Sequence, residues 1–135
     1  MKNIGLIGCG NIAETYFRAQ EYFNNINFVA CADINLDAAK KTAEQYNIIP
    51  LSVDEILTDK NVDIILNLTI PQAHYEISKR ALESNKHVYC EKPMSVKFDD
   101  AKELLNLAKK NSLYIGNAPD TLSLIHISEP TRHTD

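Results

Sequence analysis

No apolar run in the 135 residues reaches transmembrane length, no basic stripe appears, and no C-x-x-C pair occurs. The first absence removes a membrane-spanning helix from consideration. The chain enters a strand-like run at residue 4, which leaves no room for a signal-peptide pattern and makes a cytoplasmic protein the expectation. The second absence, with 14 basic against 18 acidic residues and a net charge of -4, argues against nucleic acid as a partner, since phosphates need basic side chains to neutralise them. Cys9, Cys31 and Cys90 are odd in number and far apart, and they sit in or beside strand-like runs. They read as reduced, small hydrophobes, and without a histidine at ligand spacing no metal site is expected. Cys9 and Cys90 are expected near the ligand edge, within reach of oxidants. Internal repeats and low-complexity linkers are also missing. What remains, 44% hydrophobic and 24% charged residues, is ordinary composition for one globular domain.

The segment Gly8-Cys9-Gly10-Asn11-Ile12-Ala13 follows the apolar run Ile4-Gly5-Leu6-Ile7 and opens a helical pattern. That is where a dinucleotide-binding turn belongs. Gly8 permits the sharp strand-to-helix turn, Gly10 leaves room for a pyrophosphate, and Ala13 lets helix and strand pack closely. The loop contains no Lys or Arg, and none is needed, because bare helix N–H groups and the positive end of the helix dipole attract an anion. A second apolar run, residues 28–32, ends in Asp33 about 20 residues beyond the glycines, the spacing of a ribose contact. A carboxylate there can accept both adenosine ribose hydroxyls and repels a 2'-phosphate, and no Arg follows to offset this. NAD is therefore expected over NADP. The plainer reading of Asp33 is a residue ending a strand in a turn.

Short apolar runs alternate with helical patterns as far as about residue 116, the pattern of a parallel sheet covered on both faces. Strands are expected at residues 4–7, 28–32, 48–49, 63–68, 87–90 and 113–115. One helix is expected to turn Ile12, Tyr16, Ala19 and Phe23 inward, and the next Leu36, Ala39, Ala43 and Tyr46. Ser52 to Glu55 reads as a capping box. Further helices run from about Gln72 with Ala73, Ile77 and Ala81 inward, and from Ser95 or Asp99 with a stripe of Ala101, Leu104, Leu105 and Ala108. Right-handed crossovers then give a doubly wound Rossmann-type sheet of order 3-2-1-4-5-6. The loops at residues 8–13, 69–74, 91–93 and 117–120 share its carboxyl edge, where such sheets bind ligands.

Lys92 is the leading candidate for proton transfer or substrate binding, because it follows a buried strand at that edge and is held extended by Pro93. Glu91 can hold or tune its charge. On position alone, a solvated loop lysine fits as well. Thr69-Ile70-Pro71 leads into His74 in the first turn of a helix, whose dipole opposes a charged imidazole. His74 is thus expected to hydrogen-bond cofactor, substrate or backbone. His87, opening a strand, reads as structural.

Taken together, Gly8-x-Gly10-x-x-Ala13, Asp33, Thr69-x-Pro71-x-x-His74 and the run Lys86-His87-Val88-Tyr89-Cys90-Glu91-Lys92-Pro93 followed by Met94-Ser95 resemble the Gfo/Idh/MocA oxidoreductases from residue 1 to about 121. The resemblance implies reversible hydride transfer between a nicotinamide cofactor and a sugar or polyol alcohol. It implies a cofactor held by Gly8, Cys9, Gly10, Asn11, Ile12, Asp33, Thr69, Pro71, His74, Glu91, Lys92 and Pro93, with Lys92 catalytic beside the reacting carbon and Pro93 helping to place the nicotinamide. It also implies a second α/β domain that carries the substrate pocket and the subunit contacts of a homo-oligomer. Residues 1–121 are accordingly expected to be the dinucleotide-binding domain, inactive by itself. Residues 122–132 resemble the in-frame translation of a transposase sequencing-library adaptor, so 122–135 are expected to be a non-native tail. A nucleotide-sensing module and a methyltransferase, which also pairs a glycine loop with an acidic second strand, are the rival readings.

Overall fold

The computed structural model describes residues 2–10, 17, 25–91 and 97–118. Its centre is β1 (Lys2–Ile7), whose Ile4, Leu6 and Ile7 are buried because strands lie on both sides and helices on both faces. On one side β1 pairs in parallel with β2 (Ile26–Ala32), and β2 with the two-residue edge strand β3 (Ile49–Pro50). On the other it pairs with β4 (Ile64–Asn67), then β5 (His87–Glu91) and β6 (Ile115–Ala118), all parallel. The order is 3-2-1-4-5-6, as the sequence pattern implies. Strand order therefore reverses between β1 and β4, the place where a doubly wound sheet leaves a crevice.

The crossovers include α1 (Leu36–Tyr46), α2 (Val53–Thr58), α3 (Pro71–Glu83) and α4 (Phe98–Lys110). Ser52 and Glu55 form the expected capping box at the start of α2, each side chain bonded to the other residue's N–H. Gly5 explains how α2 reaches the sheet. A Cβ there would stand 2.9 Å from the Ile56 side chain and 3.0 Å from that of Val62, so the absent methyl group is what lets the helix close on β1.

One apolar cluster gathers Ile4, Leu6, Phe28, Ile64, Leu66 and Tyr89 on one face of the sheet. The other gathers Ile7, Ile56, Ile65, Leu82, Val88 and Leu104. Phe17 belongs to the first cluster although it lies off the expected helix face. It stacks on Tyr46 at 4.0 Å and tilts against Phe28 at 4.8 Å.

Several sequence expectations need correction. Leu36 and Leu105 are 58% and 50% exposed, not inward. Leu36 is the first residue of α1, where the helix has not yet turned onto the sheet, and Leu105 falls one position beyond the stripe that Leu104 and Ala108 complete. Helix α4 opens at Phe98 after Lys97, with no side-chain cap. Asp99 lies in its first turn instead of capping it. β6 runs two residues later than expected, so Asn117 and Ala118 belong to a strand and not to a loop. The expected tail, the passage at Pro119, Asp120 and Thr121, and the helix face at Ile12, Tyr16, Ala19 and Phe23 lie outside the described residues, as does Ser95. Among the described residues no helix is long and apolar enough to cross a membrane.

Candidate functional site

The turn after β1 is fixed from two sides. Gly8 has φ +103°, a left-handed conformation that disfavours any side chain. A Cβ there would also stand 2.6 Å from the carbonyl carbon and oxygen of Leu68, so glycine is required for conformation and space alike. Leu68 donates its N–H to the Ile7 carbonyl at 2.8 Å, which places the end of β4 directly against this turn. Gly10 differs. A Cβ on it meets no atom within 4 Å, and its φ lies outside the left-handed region. Among the described residues, nothing packs against that position. Bare backbone facing open space is what a closely approaching pyrophosphate would need.

Asp33 joins this turn to the end of β2. Its Oδ2 accepts the Cys9 N–H at 2.7 Å, and its Oδ1 accepts the Asn35 N–H at 2.9 Å. Asn35 in turn caps α1 by accepting from Asp37 and Ala38. Gly8 adds an N–H bond to the Ala32 carbonyl at 2.9 Å. The glycines and the acidic residue, far apart in sequence, thus form one unit, and each carboxylate oxygen keeps lone pairs for further donors. The adjoining Ile34 is 92% exposed.

Cys9 lies half-buried, its Sγ 3.5 Å from the Ala32 carbonyl. The Cys31 thiol is held well above its ordinary value, first by its hydrogen bond with Cys9 and then by burial. Cys31 and Cys90 are buried thiols outside any disulfide, as small hydrophobes should be. Cys90 is fully buried one residue before the carboxyl end of β5, its Sγ 3.6 Å from the Gly116 carbonyl. Among the described residues no cluster could hold a metal ion.

The second loop is organised by Asn67, a fully buried residue that sequence reasoning passed over. Its amide nitrogen donates to the His74 carbonyl at 3.1 Å and to the Ser78 hydroxyl at 3.0 Å. Its oxygen accepts the Thr69 N–H at 3.2 Å and the Thr69 hydroxyl at 2.6 Å. His74, 1% exposed, closes the loop by donating from Nε2 to the Thr69 carbonyl at 2.6 Å. Of the three partners expected for His74, backbone is the one observed. The signal that could have found Asn67 is a polar residue ending an otherwise apolar strand, where an interior position demands that its amide be satisfied.

Pro71 opens α3 and Glu91 ends β5, paired in register with Ala118, so both backbones stand at the carboxyl edge. Asn11, Ile12, Lys92, Pro93 and Met94 lie outside the described residues. The described structure thus brings Thr69, bonded to His74, against Gly8 at the crevice between β1 and β4, with Asp33 bonded to Cys9 on the β2 side of the same turn.

A family model described as "Oxidoreductase family, NAD-binding Rossmann fold" matches residues 2–118. The chain belongs to the Gfo/Idh/MocA oxidoreductase family. Inositol 2-dehydrogenase of Azotobacter vinelandii is 32% identical over 108 residues, 77% of this chain and 32% of that protein. The crystal structure of dehydrogenase MviM from Clostridium difficile superposes with a TM-score of 0.79 at 28% identity, over 87% of this chain and 39% of that one. The 3-ketoreductase KijD10 from Actinomadura kijaniata, solved with NADP and TDP-benzene, gives 0.80 at 26% identity, over 91% of this chain and 40% of that one. The chain spans about a third of the length of the inositol dehydrogenases it matches.

Proposed function

We propose that this chain is the dinucleotide-binding domain, residues 1–121, of a longer oxidoreductase that prefers NAD and acts on a sugar or polyol alcohol, with 122–135 a non-native tail. The observation that carries the nucleotide reading is the Asp33 carboxylate bonded to the Cys9 N–H beside an open Gly10. It supports a ribose acceptor at Asp33 and a phosphate approach at Gly10 on the same turn. Asp33 also supports the NAD preference, because its negative charge opposes a 2'-phosphate and the following Ile34-Asn35-Leu36 supplies no cation. The inositol dehydrogenase relative supports a polyol as the substrate class.

A bound nicotinamide would supply hydride acceptance or donation. The chain's part is to bind and orient: the turn at residues 8–13 takes the pyrophosphate, Asp33 the adenosine ribose, and the Thr69 to His74 loop borders the nicotinamide half. Lys92, restrained by Pro93 and flanked by Glu91, is assigned the proton of the reacting hydroxyl. A second domain would complete the substrate pocket and the contacts of a cytoplasmic homo-oligomer, so the chain by itself turns nothing over.

In the full-length protein, Lys92→Ala should collapse turnover while leaving NADH affinity intact; unchanged turnover would overturn the role. With the chain itself, NADH should bind more tightly than NADPH. Replacing Asp33 with Ala should weaken NADH about tenfold, the loss of roughly one charge-assisted hydrogen bond. Equal affinity for the two cofactors would remove the NAD preference.

A further inference from the structure

The sheet has a second edge, at the amino ends of its strands. A cavity of about 540 Å³ opens there, with Lys2, Lys60, Asp63, Lys86, His87 and Ser112 in its wall. Helices α2, α3 and α4 all finish near this edge, and bare helix carboxyl ends would make it electronegative. Their carbonyls are largely taken. Lys86 N–H bonds to Ala81 O at 3.0 Å, Asn85 N–H to Leu82 O at 3.0 Å, and Leu113 N–H to Ala108 O at 2.8 Å. The loop after α2 is closed by the Lys86 ammonium, which donates to Asp59 O at 2.6 Å and Val62 O at 2.7 Å.

Donors remain over. Lys86 is only 5% exposed, and no described residue takes its third ammonium proton. His87 accepts the Tyr114 N–H on Nδ1 at 3.0 Å, which leaves the proton of the neutral ring on Nε2. Lys2 and Lys60 form no ion pair with a described residue, and the Asp63 carboxylate already accepts the Asn3 N–H at 2.9 Å. In a chain of net charge -4, Lys2, Lys60 and Lys86 outnumber the nearby carboxylates of Asp59 and Asp63 and reverse the local sign.

We propose that this cavity binds a phosphate group, free or as the end of a small phosphomonoester, between Lys2, Lys60, Lys86 and His87. Donors distributed around a cavity suit the tetrahedral oxygens of phosphate better than a planar carboxylate. The site stands at the opposite edge of the sheet from the dinucleotide crevice and does not depend on the reading of that crevice.

The test titrates the full chain with inorganic phosphate and, separately, with glycerol 3-phosphate, while NMR follows the imidazole signals of His87 and His74. A saturable shift of His87 with His74 unmoved is expected. Tighter binding of glycerol 3-phosphate identifies a phosphomonoester as the ligand, and equal binding identifies free phosphate. The double variant Lys2→Met, Lys60→Met, altered at positions that hold no folding contact described above, should bind either probe at least about tenfold more weakly. A shift confined to His74, no saturable shift, or undiminished binding by the double variant would overturn the site.

Discussion

The two edges of this sheet solve opposite electrostatic problems. At the carboxyl edge, the loops after β1 and β4 present N–H groups that need acceptors, and the chain supplies the side chains of Asp33 and Asn67. At the amino edge the loop between α2 and β4 presents carbonyls that need donors, and the chain supplies a buried lysine. The carboxyl edge depends on a missing side chain at Gly8. The amino edge depends on a long side chain reaching inward. On the proposed function the first edge holds a large anion by backbone, whereas the second offers what its side chains bring.

Four substitutions would break or sharpen this contrast. Gly8→Ala should have the largest effect, because it adds strain at φ +103° to a clash with the Leu68 backbone. A loss of about 3–5 kcal/mol is expected, read as a lower urea midpoint. Lys86→Met keeps the apolar stem but strands the carbonyls of Asp59 and Val62; about 2–4 kcal/mol should be lost in the same measurement. If Lys86→Met proved neutral, the amino edge would be ordinary solvated surface. Asn67→Ala should cost about 2 kcal/mol and also weaken NADH, since the Thr69 to His74 loop loses its hub. Intact NADH affinity would separate that loop from the cofactor.

The smallest effect concerns pH. Burial, then the charge of Lys2, hold the His87 imidazole below its ordinary value of 6.5, with Asp63 partly offsetting them. As pH falls through 6.5, the unfolded chain takes up this proton before the folded one does. Stability present above 6.5 is therefore lost on the way down to the folded value. His87→Asn places an amide oxygen near the position of Nδ1, which keeps an acceptor for Tyr114 and removes the titration. Its unfolding midpoint should vary less with pH across that window, and an unchanged slope would exclude His87 as the source.

What could be read from the sequence followed from how each signal arises. Strand order and the turn at Gly8 are legible because buried parallel strands are continuous apolar runs and because a sharp turn after one of them takes glycine. Leu36 and Leu105 were misplaced because helical periodicity gives a direction and not the width of the face that the sheet covers. Asn67 and Lys86 escaped for another reason. Asn67 stands between two leucines and Lys86 between Asn85 and His87, and only tertiary structure shows whether such donors find partners inside the protein or in water. His74 lies between these cases: its place at the helix start was legible, but its bond to the Thr69 carbonyl was one of several options.

Asp33 also bears on how this domain could change its cofactor. A route toward a phosphorylated ribose would begin by discarding the carboxylate, yet the same two oxygens hold the N–H groups of Cys9 and Asn35. Any such step would loosen the turn while relaxing its selectivity. With NAD as the proposed cofactor, a lineage leaving it would need a compensating change, such as a new acceptor for the Cys9 N–H, before a cation at position 34 or 35 could be of use.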